Sequence, residues 1–112
     1  PVFANHMMAL YSRRRETIGK AIEAGIDVYS GTDAGTVVPH GEILSEVAEL
    51  ASLGGGEFAI KASSWGARSW LGVDALVEGA SADLIVTTAD PRADTGALRD
   101  PLARLLRGRL IS

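Results

Sequence analysis

The sequence predicts an α/β fold, in which a helix, a strand, a glycine-rich loop and further helices are followed by a β-rich tail. Three observations carry this expectation. An apolar stripe at helical spacing runs into a short β-branched segment, a cluster of glycines follows that segment at once, and beyond Gly72 the pattern changes to strand-like runs separated by turn residues.

From Asn5 to Ala24 the apolar positions Met8, Tyr11, Ile18, Ala21 and Ile22 fall on one face, with Asn5 placed to cap the helix and Gly25 to stop it. Ile26 to Ser30 reads as a strand that empties into Gly31-Thr32-Asp33-Ala34-Gly35. After Pro39-His40-Gly41, a second helical stripe of Ile43, Leu44, Val47, Leu50 and Ala51 ends at the turn Gly54-Gly55-Gly56. Residues Glu57 to Leu71 are expected to form a third helix, weakened in its middle by Ser63, Ser64 and Gly66. Ala82 to Thr88 reads as a strand, Asp90-Pro91 breaks it, and Leu105 to Ile111 is expected to be a last strand. A soft boundary near residue 72 separates residues 1–72 from a β-rich segment, 73–112.

The chain has 112 residues, 46% hydrophobic and 22% charged, the balance of an ordinary globular protein with a packed core. A net charge of -3 leaves no basic excess for phosphates, so nucleic acid is not an expected partner. The one basic run, Arg13-Arg14-Arg15, lies at helical spacing and reads as a solvated face. No apolar stretch approaches the roughly 20 residues that span a bilayer, so no membrane partner is expected. The absence of cysteine excludes disulfides and thiolate metal sites and suits the cytoplasm. The opening Pro1 is the start expected of a processed product or an excised piece.

Asp33 is the candidate for chemistry. In α/β folds ligands gather at the loops after strand ends, and small neighbours leave its carboxylate uncrowded. A carboxylate so placed serves either catalysis or a local turn or helix cap. His40 has a plain reading near a helix start, where Glu42 complements the dipole. His6 reads as structural or exposed, Trp65 and Trp70 as core anchors with the lining of a pocket as the alternative, and Asp83 and Asp90 as turn residues. The loop Gly31 to Gly35 lacks the Lys-Ser/Thr ending of a phosphate-binding P-loop and the glycine spacing of a dinucleotide site.

The run IDVYSGTDAG followed by PHGEILSEVAEL resembles the eighth strand, loop and helix of the amidohydrolase superfamily, most closely its imidazolonepropionase-like and Xaa-Pro dipeptidase-like members. LGVDALVEGASADLIVTTADP and LLRGRLIS resemble the return of that family into its small β-sandwich. The resemblance covers nearly the whole chain. It implies the last helix-strand-helix part of a metal-dependent (β/α)8 barrel in residues 1–72 and the C-terminal strands of the β-sandwich in 73–112. It further implies a hydrolase of carbon–nitrogen bonds in amides, lactams or dipeptides, with a divalent metal, zinc by expectation, bound by Asp33, which also shuttles the proton. His40 matches a histidine near the substrate side.

The family's His-x-His and its ligands from the fourth, fifth and sixth strands have no counterpart, because His6 and His40 are the only histidines. The chain by itself is therefore expected to be inactive and to hold no metal tightly. The alternative is a non-catalytic, self-associating module, and in either case the apolar stripes of the first two helices predict a homo-oligomer, a two-fold dimer by expectation.

Overall fold

In the computed structural model, residues 1–73 and 76–112 are described; Asp74 and Ala75, within the expected β-rich segment, lie outside them. Four helices lead the chain: α1 (Val2–Glu23), α2 (Ile43–Gly54), α3 (Gly56–Ser63) and α4 (Trp65–Trp70). Three short strands follow, β1 (Leu84–Val86), β2 (Ala103–Leu106) and β3 (Arg109–Leu110), with a 3-10 turn over Thr95–Leu98 between the first two.

α1 begins three residues before the expected cap, so Asn5 lies within it and its N–H donates to the carbonyl of Pro1. At the other end Gly25, at φ 73°, closes a Schellman motif: its N–H donates to Ile22 O and that of Ile26 to Ala21 O. α1 meets α2 only along its last turns, where Ile18, Ala21 and Ile22 are half-buried. Arg15 braces the crossing, donating to Glu49 and to Ser52 Oγ of α2.

The core lies between α2 and α3, where Val47, Leu50, Ala59, Ile60 and Ala62 are buried, with Val28, Phe58 and Leu98 packed around them. Each glycine between the two helices answers a spatial demand. Phe58 fills the space a Cβ on Gly54 would take, at 2.5 Å, Gly55 adopts φ 89°, and a Cβ on Gly56 would stand 2.1 Å from the carbonyl oxygen of Arg92. The expected third helix breaks at Ser64 (φ -137°, ψ -103°), so Ser63, Ser64 and Gly66 do more than weaken it.

The expected barrel portion is not observed. Ile26 to Ser30 forms no strand, and the sheet found among the described residues is antiparallel, in the order β1-β2-β3. A strand exists only where a neighbour completes its ladder. Here the segment is held by side chains instead: Val28 packs on the core, Tyr29 stacks on Trp70 at 5.0 Å, and Ser30 N–H donates to the carbonyl of Ala62 in α3. No second sheet faces the first among the described residues, so the sandwich expectation for 73–112 is corrected to one three-stranded sheet.

The expected last strand is a hairpin. Leu106 pairs with Arg109 around Arg107 and Gly108, both at positive φ (51° and 75°), as a two-residue type I′ turn requires. The carboxylate of Asp83 holds the turn, accepting from Arg107 N–H at 2.7 Å, and Gly108 N–H donates to Ala82 O. Those contacts place Asp83 in a tertiary role beyond that of a turn residue.

Gly56→Ala is expected to lower stability by about 1–3 kcal/mol, because the backbone at Arg92 must move to admit the methyl group. Urea unfolding of the pair checks it, and an unchanged midpoint would mean the two segments separate freely. A second expectation concerns acid. The Arg107 N–H, then the Ser81 hydroxyl and the Arg68 charge, hold the Asp83 carboxyl below its ordinary 3.8, and Arg92 does the same for Asp90. A lowered folded value stabilises the fold above the ordinary pKa, and this contribution is lost as pH falls through the folded value. Melting temperature should therefore fall below about pH 4, and Asp83→Asn, which keeps the acceptor but does not titrate, should flatten part of that fall.

Candidate functional site

The chain runs from Ile26 to Asp33 without turn or bend and then folds back on itself. Gly35 N–H donates to Val38 O at 2.9 Å, Ala34 and Val38 form an isolated bridge, and the Thr36 hydroxyl donates to the backbone carbonyl of Asp33. Gly31 N–H points to the Glu46 carboxylate of α2 at a long 3.5 Å, which tethers the loop to the helical layer.

Asp33 sits in this loop at φ 50°, a left-handed conformation that non-glycine residues seldom take and that Asp tolerates better than most. It is exposed, and no hydrogen bond or ion pair engages its carboxylate among the described residues. The expectation that it ends a strand is corrected with the strand itself, and it lines neither of the two hollows described below. His40 is exposed at the far side of the same turn, where its imidazole covers the bare face of Gly35: a Cβ there would meet Nε2 at 3.5 Å.

The loop therefore carries both Asp33 and His40. Glu42, the next acidic residue, is turned to α2, where it accepts from the Ser45 hydroxyl at 2.9 Å. Among the described residues no three His, Cys, Asp or Glu side chains come together as a metal would need. His6 lies exposed on α1, far in sequence from the loop.

Two hollows open in the surface. One, of about 540 Å³, is lined by Asp27, Tyr29, Phe58, Lys61, Trp65 and Trp70. The tryptophans are not the core anchors expected: Trp65 is 38% and Trp70 68% exposed, and both face this hollow. The other, of about 730 Å³, opens between the helical layer and the sheet, beside Ile60, Trp65, Leu84 and Leu105.

Comparison with known proteins adds extent and not identity. No family profile matches the chain. It is 46% identical over 110 residues to proteins of Mycobacterium bovis and Mycobacterium tuberculosis, each described as uncharacterized. The match covers 97% of this chain and 30% of each relative, so the chain spans about a third of the length of the curated relatives it matches. Among the described residues no helix is long and apolar enough to cross a membrane.

If the Asp33 carboxylate had a structural task in the loop, its removal would be costly. With only its backbone engaged, Asp33→Gly is expected to change stability by less than about 1 kcal/mol, relief of the left-handed strain offsetting the extra freedom of the unfolded chain. Chemical denaturation measures this, and a larger loss would return Asp33 to the role of a turn residue.

Proposed function

We propose that the chain is the C-terminal part of a metal-dependent amidohydrolase that cleaves carbon–nitrogen bonds in small amides, lactams or dipeptides. The observation that carries the reading is the exposed, unengaged carboxylate of Asp33, held in a glycine-rich loop that also presents His40. The likeness of that loop and its flanks to the amidohydrolase superfamily supports it further.

Zinc sites of hydrolases use three protein ligands and an open position. The described residues bring no such set together, so they do not fit a zinc ion by themselves, and no step through the metal is assigned to this chain. The step assigned is proton transfer. As water adds to the carbonyl carbon, an Asp33 oxygen takes the proton it loses, and the same oxygen gives it to the departing amine as the carbon–nitrogen bond breaks. His40 orients the substrate from the other side of the loop. On the cysteine-free composition, this reading places the protein in the cytoplasm.

A second reading, a non-catalytic self-associating module, is favoured by a different observation. Val2 is 88% and Phe3 76% exposed on α1, and Met8 is bare as well, while the Arg14 guanidinium covers one face of the exposed Tyr11 ring. Val47 and Leu50 of α2, by contrast, are already covered within the chain, which leaves α1 as the contact that a homodimer would use.

To separate the readings, the chain replaces its matching third in the full-length mycobacterial relative, and the chimera is loaded with zinc and assayed on N-acyl amino acids, lactams and dipeptides. Turnover is expected, with Asp33→Asn lowering kcat by at least about 100-fold at an unchanged melting temperature. Near-normal turnover in that variant would remove Asp33 from the chemistry, and no hydrolysis by a zinc-loaded, folded chimera would leave the module reading standing.

A further inference from the structure

The chain has six aromatic side chains, two each of Trp, Tyr and Phe, and four of them, Tyr29, Phe58, Trp65 and Trp70, line the 540 Å³ hollow. Burial in the core does not explain that gathering. Trp65 is 38% and Trp70 68% exposed, and Trp70 stacks on Tyr29, with ring centres 5.0 Å apart and planes 22° from parallel. Its other face is left to solvent. The hollow falls within the roughly 300–1,000 Å³ in which proteins hold small ligands.

The same walls carry two charges of opposite sign, Asp27 and Lys61. Both are exposed, and among the described residues neither side chain forms an ion pair or a hydrogen bond, with the other or with a third group. Local structure puts them there. Asp27 and Tyr29 are two residues apart on a segment without turn or bend, so they share a side, while Val28 between them packs on the core. Phe58 and Lys61 are neighbours at i and i+3 on α3. Gly66 of α4 leaves room for the Lys61 stem, whose Cγ lies 3.0 Å from where a Cβ on that glycine would stand.

We infer that this hollow binds a free aromatic α-amino acid, its ring laid on the bare face of Trp70, its ammonium group on Asp27 and its carboxylate on Lys61. Charge complementarity favours that occupant. A ligand with a single charge would leave the opposite wall charge unmet, whereas a zwitterion makes a charge-assisted hydrogen bond to each. An aromatic ring extends the Tyr29–Trp70 stack in a way that an aliphatic side chain of similar size does not. The inference goes beyond the hydrolytic reading, because neither Asp33 nor His40 lines the hollow and binding here needs no turnover there.

Trp65 and Trp70 are the only tryptophans of the chain, so the intrinsic fluorescence of the 112-residue protein reports on this hollow. The titrants are L-phenylalanine and three probes, L-leucine, 3-phenylpropionate and phenethylamine, which lack in turn the ring, the ammonium group and the carboxylate. L-phenylalanine is expected to bind at least about 10-fold more tightly than each of the three. Asp27→Asn should abolish its advantage over 3-phenylpropionate, and Lys61→Gln its advantage over phenethylamine, both at an unchanged melting temperature because both side chains are exposed and unengaged. Equal affinity for all four compounds would overturn the inference, as would no response to L-phenylalanine up to its solubility limit. A fluorescence change that follows protein concentration and not ligand, the behaviour of a second copy covering the hollow, would do the same. So would loss of binding in the folded chimera with the mycobacterial protein, since the remainder of that protein would then fill the hollow. Should the isolated chain not fold, calorimetric titration of the chimera with the same four compounds decides the matter. Binding in a chimera that hydrolyses nothing would leave this inference standing and remove only the hydrolase reading.

Discussion

Close approach between α2 and α3 is the contact on which the rest of the described chain hangs. Val47 and Leu50 from one helix meet Ala59, Ile60 and Ala62 from the other. Burying each of the larger side chains contributes about 1.5–3 kcal/mol. Two of the five are alanines, which add little area but let the backbones come near. The three glycines between the helices make that approach possible, by admitting the Phe58 ring, turning the chain and receiving the Arg92 carbonyl. Through Arg92 the contact reaches the 3-10 turn, whose Leu98 packs on the same cluster, and thence β2.

What lies away from that contact is held more loosely, and the looseness has a direction. α1 is fastened by its last turns and by Arg15, so its first dozen residues stand in solvent with Val2, Phe3 and Met8 uncovered. An isolated helix of such length is marginal in water unless a face is packed. Exposed apolar residues in scattered positions are ordinary; a bare apolar helix end together with an aromatic hollow in one small chain is not.

The local punctuation was legible in the residues. Gly25 ends α1 and the glycine triplet turns α2 into α3, because each acts through its own backbone or its nearest neighbours, whereas Ser64 breaks outright a helix that was expected only to weaken there. What depends on distant partners was not. Ile26 to Ser30 has strand composition, but a strand needs a neighbour, and side-chain packing took its place. The Arg107 turn was hidden for the same reason: an arginine at positive φ is held by Asp83, 24 residues earlier. At the site, the exposure of Asp33 followed from its small neighbours, whereas the stacking of His40 over Gly35 depends on a loop closed by Gly35 and Val38.

The position of Asp33 links the two halves of the functional reading. Its loop is closed by its own hydrogen bonds, and the segment leading into it is held by the Ser30–Ala62 bond and the Tyr29–Trp70 stack. Those contacts set the direction in which the chain enters the loop, and with it the position of a carboxylate only four residues beyond Tyr29. General-base chemistry needs that oxygen within hydrogen-bond reach of the attacking water, and displacement by 1 Å can cost a factor of 100 or so. On the proposed reading, the placement of the Asp33 oxygen therefore rests on those contacts to α3 and α4 together with the long Glu46 tether to α2.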